Sequence, residues 1–186
     1  MKLLRYRDNN LIKPAILDNE GKIRDLSLFV EDWTGETISY KNINKLIEQD
    51  FSKFPTVKKQ IRLAPCIDKV GKLICVGLNY YDHAIETGLQ VPNEPILFMK
   101  ATSSICGAND DIIIPKNSRK TDLEVELGII IGKKGKYIKK NNALDYIAGY
   151  CIINDVSERE FQIERMGQWF KGKSSDTFGP IGPYLV

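Results

Sequence analysis

Three acidic residues alternate with apolar ones in the run Thr121-Asp122-Leu123-Glu124-Val125-Glu126-Leu127-Gly128-Ile129-Ile130-Ile131-Gly132. Side chains on a strand point to opposite faces in turn. Leu123, Val125, Leu127, Ile129 and Ile131 therefore share one face, and Asp122, Glu124 and Glu126 share the other. Neighbours on one face stand roughly 6.5–7 Å apart at Cα. Carboxylates crowded in this way raise one another's pKa unless a cation compensates. A hard dication provides such compensation, since Mg²⁺, Mn²⁺ and Ca²⁺ all take carboxylate and water oxygens. The same pattern also suits an amphipathic strand with a solvated acidic face.

A second acid stands where it could join them. Residues 146–154, YIAGYCIIN, form an apolar β-rich run that reads as a buried strand, and Asp155 follows it. Ser157 and Glu160 have capping-box spacing, which predicts a helix start there. Asp155 is then either turn chemistry at a strand end or the third carboxylate of a metal site with Glu124 and Glu126.

Other residues could move protons or hold charge. His83, the single histidine, and Glu86 lie in YYDHAIETG, with Gly88 as a plausible helix stop. At i and i+3 the two share a helix face, where a carboxylate raises imidazole basicity and can fix its tautomer. Such a pair can take a proton from water, or it can be an ordinary surface pair worth roughly a few tenths of a kcal/mol. Arg159 and Gln162 are i and i+3 on the helix expected after Asp155. Lys173 sits in the glycine- and proline-rich stretch GKSSDTFGPIGP, where a lysine is usually solvated. Lys100 and Ser103, in FMKATSS, could bind a carboxylate or end a strand. Trp169 and Phe170 suit packing better than stacking on a ligand.

These residues need elements to position them. The segment KLICVGL near Lys72 predicts a strand, and more strands follow with few helices between them, so the expected class is a β-rich α+β fold. Residues 1–68 read as a small separate N-terminal domain and 69–186 as the domain carrying the site. In the first, MKLLRY and the flanks of Asp18-Asn19-Glu20-Gly21 suggest short strands around a turn. Asn42–Phe51 suggests a short amphipathic helix on Ile43, Leu46 and Ile47. Pro55 and Pro65 punctuate the passage between the two.

Composition narrows the partners. An apolar content of 42% suffices for a core. The net charge of +3 comes from scattered lysines and arginines, with no basic stripe for nucleic acid, and suits a small anionic substrate. No run is long and apolar enough for a signal peptide or a membrane span. Cys66, Cys75, Cys106 and Cys151 lack C-x-x-C spacing and sit in apolar contexts, as expected for reduced, mostly buried thiols in a cytoplasmic protein.

Five runs together resemble the fumarylacetoacetate hydrolase family of metal-dependent enzymes: ICVGLNYYDHAIETG (74–88), PILFMKATSS (95–104), DLEVELGIIIGK (122–133), GYCIINDVSEREFQ (149–162) and GKSSDTFGPIGP (172–183). They occur in the family's order and spacing. The resemblance implies a mixed β-sandwich roll with a smaller N-terminal unit beside it, and commonly a homodimer. It implies Glu124, Glu126 and Asp155 as metal ligands, with Mg²⁺ the expected ion and Mn²⁺ or Ca²⁺ possible substitutes. It implies His83 and Glu86 as a mobile dyad that activates water, and Lys173 against the substrate's oxygens. Lys100, Ser103, Arg159 and Gln162 become substrate-holding or supporting positions. The implied reaction is hydrolysis of a carbon–carbon bond in a 2,4-diketo acid, such as an acylpyruvate or a 2,4-diketo-3-deoxy sugar acid. Ureidoglycolate lyase, 2-oxo-acid decarboxylase and isomerase activities are alternatives on the same scaffold. Family members continue past Val186, so the chain reads as lacking the C-terminal part of the roll. The expectation is then a poorly stable polypeptide with weak or no activity, and the alternative of another class is an inactive metal-binding remnant.

Overall fold

A computed structural model of the chain describes residues 1–57 and 60–186, and the side chains of His83 and Thr87 lie outside what is described. The N-terminal part is a four-stranded antiparallel sheet of β1 (Lys2–Asp8), β2 (Leu11–Leu17), β3 (Ile23–Asp25) and β4 (Arg62–Leu63), in the order β3-β2-β1-β4. The turn expected at Asp18–Gly21 joins β2 to β3. There the Asp18 carboxylate accepts from the Glu20 and Lys22 amides at 2.9 and 2.8 Å, and Gly21 supplies the positive φ of 76°. The amphipathic helix expected over Asn42–Phe51 is α1, Tyr40–Ile47; Leu46 is buried, Ile47 is exposed, and Phe51 opens a separate 3-10 turn, Phe51–Lys53.

The remainder contains β5 (Leu73–Gly77), α2 (Tyr81–Thr87), β6 (Ile96–Lys100), β7 (Ile105–Gly107), β8 (Thr121–Asp122), β9 (Val125–Ile131), β10 (Ile147–Asn154), β11 (Ser157–Glu158), α3 (Trp169–Lys173) and β12 (Gly179–Gly182). A four-stranded sheet runs β7-β12-β10-β9, with β7 and β12 parallel and the other pairs antiparallel. Two ribbons, β5-β6 and β8-β11, complete the β-rich α+β architecture. The two parts share one core. Leu3, Ile16, Leu26, Trp33, Ile38 and Leu46 pack in a cluster with Cys66, Ile67, Cys151, Ile181 and Leu185, and Leu3 and Leu185 exchange backbone hydrogen bonds of 2.8 Å. Cys66, Cys106 and Cys151 are buried and Cys75 is half-buried. Among the described residues no helix is long and apolar enough to cross a membrane.

Two expectations change. The acidic run is not one strand: it breaks at Leu123-Glu124 into β8 and β9. Side chains take over there, the Leu123 amide donating to Asp122 Oδ1 (2.9 Å) and the Glu124 amide to Asn154 Oδ1 (3.1 Å). The alternation survives in β9, but its apolar face is the open one. Val125, Leu127 and Ile129 are 73, 60 and 51% exposed, while Glu126 is half-buried and Gly128 buried. The capping box also fails. Ser157 belongs to β11, and a π-helical turn, Glu160–Glu164, follows. The Ser157 hydroxyl is drawn instead to the Asp155 carbonyl (2.9 Å) and to Glu124 Oε1 (3.1 Å). Arg159 is the N-cap residue, and Glu158 just before it accepts from the Phe161 amide through Oε2 at 2.7 Å.

Candidate active site

The antiparallel register of β9 and β10 pairs Val125 with Asn154 and Glu126 with Ile153. One step beyond the ladder, the Asp155 amide donates to the Glu124 carbonyl at 2.8 Å. Main-chain bonding thus places Glu124 and Asp155 side by side, with Glu126 two residues along. The bend at Leu123-Glu124 and the end of β10 create this junction.

Two buried lysines converge on Asp155, which is itself buried. Lys100, at the end of β6, donates to Asp155 Oδ1 (2.6 Å) and to the Val156 carbonyl (2.9 Å). Lys173, at the end of α3, donates to Asp155 Oδ2 (2.9 Å) and to Glu124 Oε1 (3.0 Å), with its ammonium 5.1 Å from the centre of the Phe98 ring. The Ala101 amide donates to Ser174 Oγ at 2.9 Å, which ties the strand bearing Lys100 to the helix bearing Lys173. Burial pushes the Lys100 pKa down, against the opposing pull of Asp155.

Glu124 Oε1 gathers further donors. Ser157 contributes its hydroxyl, and Arg159 pairs with both Glu124 and Asp122, reaching Asp122 Oδ2 at 2.9 Å. Arg159 also donates to Gln162 Oε1 at 3.1 Å. The i, i+3 pair read from sequence is therefore real, on a π turn, and Gln162 is buried. Glu126 accepts from Asn79 Nδ2 at 3.2 Å. Its pKa is raised by burial, then by the charges of Glu124 and Asp155, while Asn79 works the other way. The acids are close enough to feel one another.

The remaining candidates stand further out. Helix α2 ends at Gly88 (φ 66°), as expected, and carries His83 and Glu86 three residues apart; Glu86 is exposed, and the His83 side chain is outside the described part. Ser103 is exposed, whereas neighbouring Ser104 is buried and donates to the Ala101 carbonyl at 2.6 Å. Trp169 packs edge-on against Phe98 at 5.4 Å, and Phe170 is exposed. Asn79 and Asn154 are site residues that the sequence reading did not single out, and Ser157 was read there only as a helix cap. Asn79 lay inside a quoted run, but only the fold carries the residue after β5 to Glu126.

A cleft of about 590 Å³ opens between β5 and β9, with Ile74, Cys75, Asn79, Glu126, Leu127 and Asp155 in its lining. That volume suits a small organic molecule. Burial pushes the Cys75 thiol up to about 12, which keeps it from acting as a nucleophile near neutral pH. The donor chemistry of Glu124, Glu126 and Asp155, all carboxylate oxygens with mutual repulsion, fits a hard dication. As the side chains stand, no three acids, thiols or imidazoles among the described residues converge as ligands, and the Lys173 ammonium lies between Glu124 and Asp155.

The chain is similar throughout to proteins of known family. A relative from Burkholderia orbicola strain MC0-3, provisionally named a hydrolase, is 57% identical over all 186 residues, which make up 66% of its length. A fumarylacetoacetate hydrolase structure from Exiguobacterium antarcticum matches with a TM-score of 0.81 and 34% identity, covering the whole chain and 66% of that protein. A 5-carboxymethyl-2-hydroxymuconate delta-isomerase structure from Mycobacterium smegmatis matches with a TM-score of 0.72 and 28% identity, again over the whole chain and 66% of the other. The chain thus spans just under two thirds of the length of these relatives. The family model for the fumarylacetoacetate hydrolase C-terminal domain matches residues 72–186. The strands, lysines and acids of this site all fall within that match, and the chain belongs to the fumarylacetoacetate hydrolase family.

Proposed function

We propose that the chain carries the site of a divalent-metal-dependent hydrolase that cleaves a carbon–carbon bond in a 2,4-diketo acid, an acylpyruvate or a 2,4-diketo-3-deoxy sugar acid. The observation that carries this reading is the set of three carboxylates, two of them on one buried lysine, beside a cleft sized for a small molecule. The hydrolase names of its relatives support it. Glu124, Glu126 and Asp155 would hold the ion, Mg²⁺ by preference. When bound, the ion supplies Lewis acidity and a template for an oxo acid's paired oxygens.

The chain's own residues do the rest. Lys100 holds the Asp155 carboxylate in place by one oxygen. His83, oriented by Glu86, takes the proton of the attacking water. Lys173 lends positive charge to the substrate oxygen on which negative charge develops. Arg159, paired with Glu124 and bonded to Gln162, keeps Glu124 and the π turn in register. In this reading the protein works in the cytoplasm as a homodimer.

The decisive experiment is pyruvate release by purified protein from a panel of acylpyruvates, with and without Mg²⁺. Release that needs Mg²⁺ and falls about 100-fold or more in Glu126→Gln supports the reading, since even the outer partners of metal ligands are worth roughly 10–100-fold. Unchanged turnover in that variant ends it. A second reading, enol–keto isomerisation, is favoured by the isomerase names of several similar structures. It predicts turnover that survives loss of His83 as a water-activating base, and loss of the enol absorbance without pyruvate release.

A further inference from the structure

We propose that Lys173 is the resident counter-cation of this site: without metal its ammonium neutralises the Glu124–Asp155 pair, and a dication entering between those acids displaces it towards the substrate. The proposal rests on the metal reading above and deepens it. Among the described residues, Lys173 is the cation that donates to both acids, at 3.0 and 2.9 Å, and its side chain is only 2% exposed. A buried ammonium is tolerated where paired charge and hydrogen bonds compensate its lost hydration. Here the compensation is two carboxylates that would otherwise repel each other.

Lys100 differs in kind. It holds Asp155 by the other oxygen, is anchored a second time on the Val156 carbonyl, and has a wholly buried side chain, so it stays when the neighbouring charge changes. Among the described residues Lys173 has no such second anchor on the main chain. Its backbone is fixed: a Cβ at Gly172 would meet Gln162 N and Glu158 O at 2.6 Å, so α3 is pressed against the π turn. Exchange therefore runs through rotation of a four-carbon side chain, not through movement of the helix. The Phe98 ring, 5.1 Å from the ammonium, offers the charge a favourable surface along that path.

The experiment measures Mn²⁺ binding by calorimetry and melting temperature with and without Mn²⁺ for wild type, Lys173→Met and Lys173→Arg. Lys173→Met should melt several degrees lower than wild type without metal, regain that loss in Mn²⁺, and bind Mn²⁺ about tenfold tighter, a change of about 1.4 kcal/mol. Lys173→Arg, which keeps the charge, should stay near wild type in metal-free melting. A metal-free melt unchanged in Lys173→Met, or Mn²⁺ affinity unchanged or weaker, overturns the proposal. If Lys173→Met folds only in Mn²⁺, unfolding on chelation supports the proposal and survival overturns it. Wild type that binds no Mn²⁺ overturns both this and the metal reading. Mn²⁺ binding with the predicted lysine effects but no turnover on any acylpyruvate ends the substrate assignment alone.

Discussion

Asp155 takes a buried ammonium on each of its carboxylate oxygens, and that makes its two lysines unequal to surface lysines in any mutational test. Replacing Lys100 by Met leaves Asp155 buried with half its compensation gone. Breaking one side of a buried pair costs about 3–5 kcal/mol, so Lys100→Met should lower the unfolding free energy measured in urea by that amount, whereas removal of the exposed Lys53–Asp50 pair should change it little. At this scale the sequence was informative for the acids. Glu124 and Glu126 announced themselves by alternation, and Asp155 by its place at a strand end. The lysines were legible as candidates, but their pairing with Asp155 was not. Lys173 sits in a stretch whose glycines and prolines read as a solvated loop, and Lys100 reads as the end of a strand. Only contacts between residues far apart in the chain reveal that both ammonium groups meet one carboxylate.

At the scale of elements, the stretch from Asn154 to Glu164 departs most from expectation. Ser157-x-x-Glu160 had the spacing of a helix cap, yet the hydroxyl bonds Glu124, and the Phe161 amide at the start of the turn is taken by Glu158. A local rule lost to a tertiary one, as happens most often where a site is built. Glu158 is buried, and although burial pushes its pKa up, amide donors from Phe161, Lys120 and Arg119 with the Ser118 hydroxyl hold it below the ordinary glutamate range. A carboxylate depressed on folding adds stability that is complete above its unfolded pKa and is lost as pH falls through the folded value. Wild type should therefore lose stability on acidification below about pH 4.3. Glu158→Gln should start about 1–3 kcal/mol less stable at pH 7 and show a shallower loss over that acidic range. Melting curves at neutral pH and about one unit below the ordinary glutamate pKa check both. Strand β9 shows the opposite case: its alternation was legible and correct, but periodicity alone cannot say which face is covered.

For the molecule as a whole, residues of the N-terminal sheet and of the site-bearing part share one hydrophobic cluster, and the expected boundary near residue 68 falls between β4 and β5. Leu185 is buried against Leu3 and Ile16 belongs to the same cluster. Leu185→Ala should cost about 2–5 kcal/mol and lower the melting of both parts together, in one transition seen alike by far-ultraviolet circular dichroism and by the fluorescence of Trp33 and Trp169, one in each part. Two separated transitions would show that the parts fold independently. The β-rich class and the order of motifs were readable from composition and runs, but the union of the two parts was not, because it depends on a strand at one extreme of the chain finding a partner at the other. The pairing of Leu3 with Leu185 has a kinetic meaning. The first strand cannot complete its bonding until residue 185 has left the ribosome, and loop closure over so long a span is slow. Nascent chains must wait with apolar surface uncovered, so the yield of native protein in a cell should follow chaperone supply more closely than its equilibrium stability would suggest.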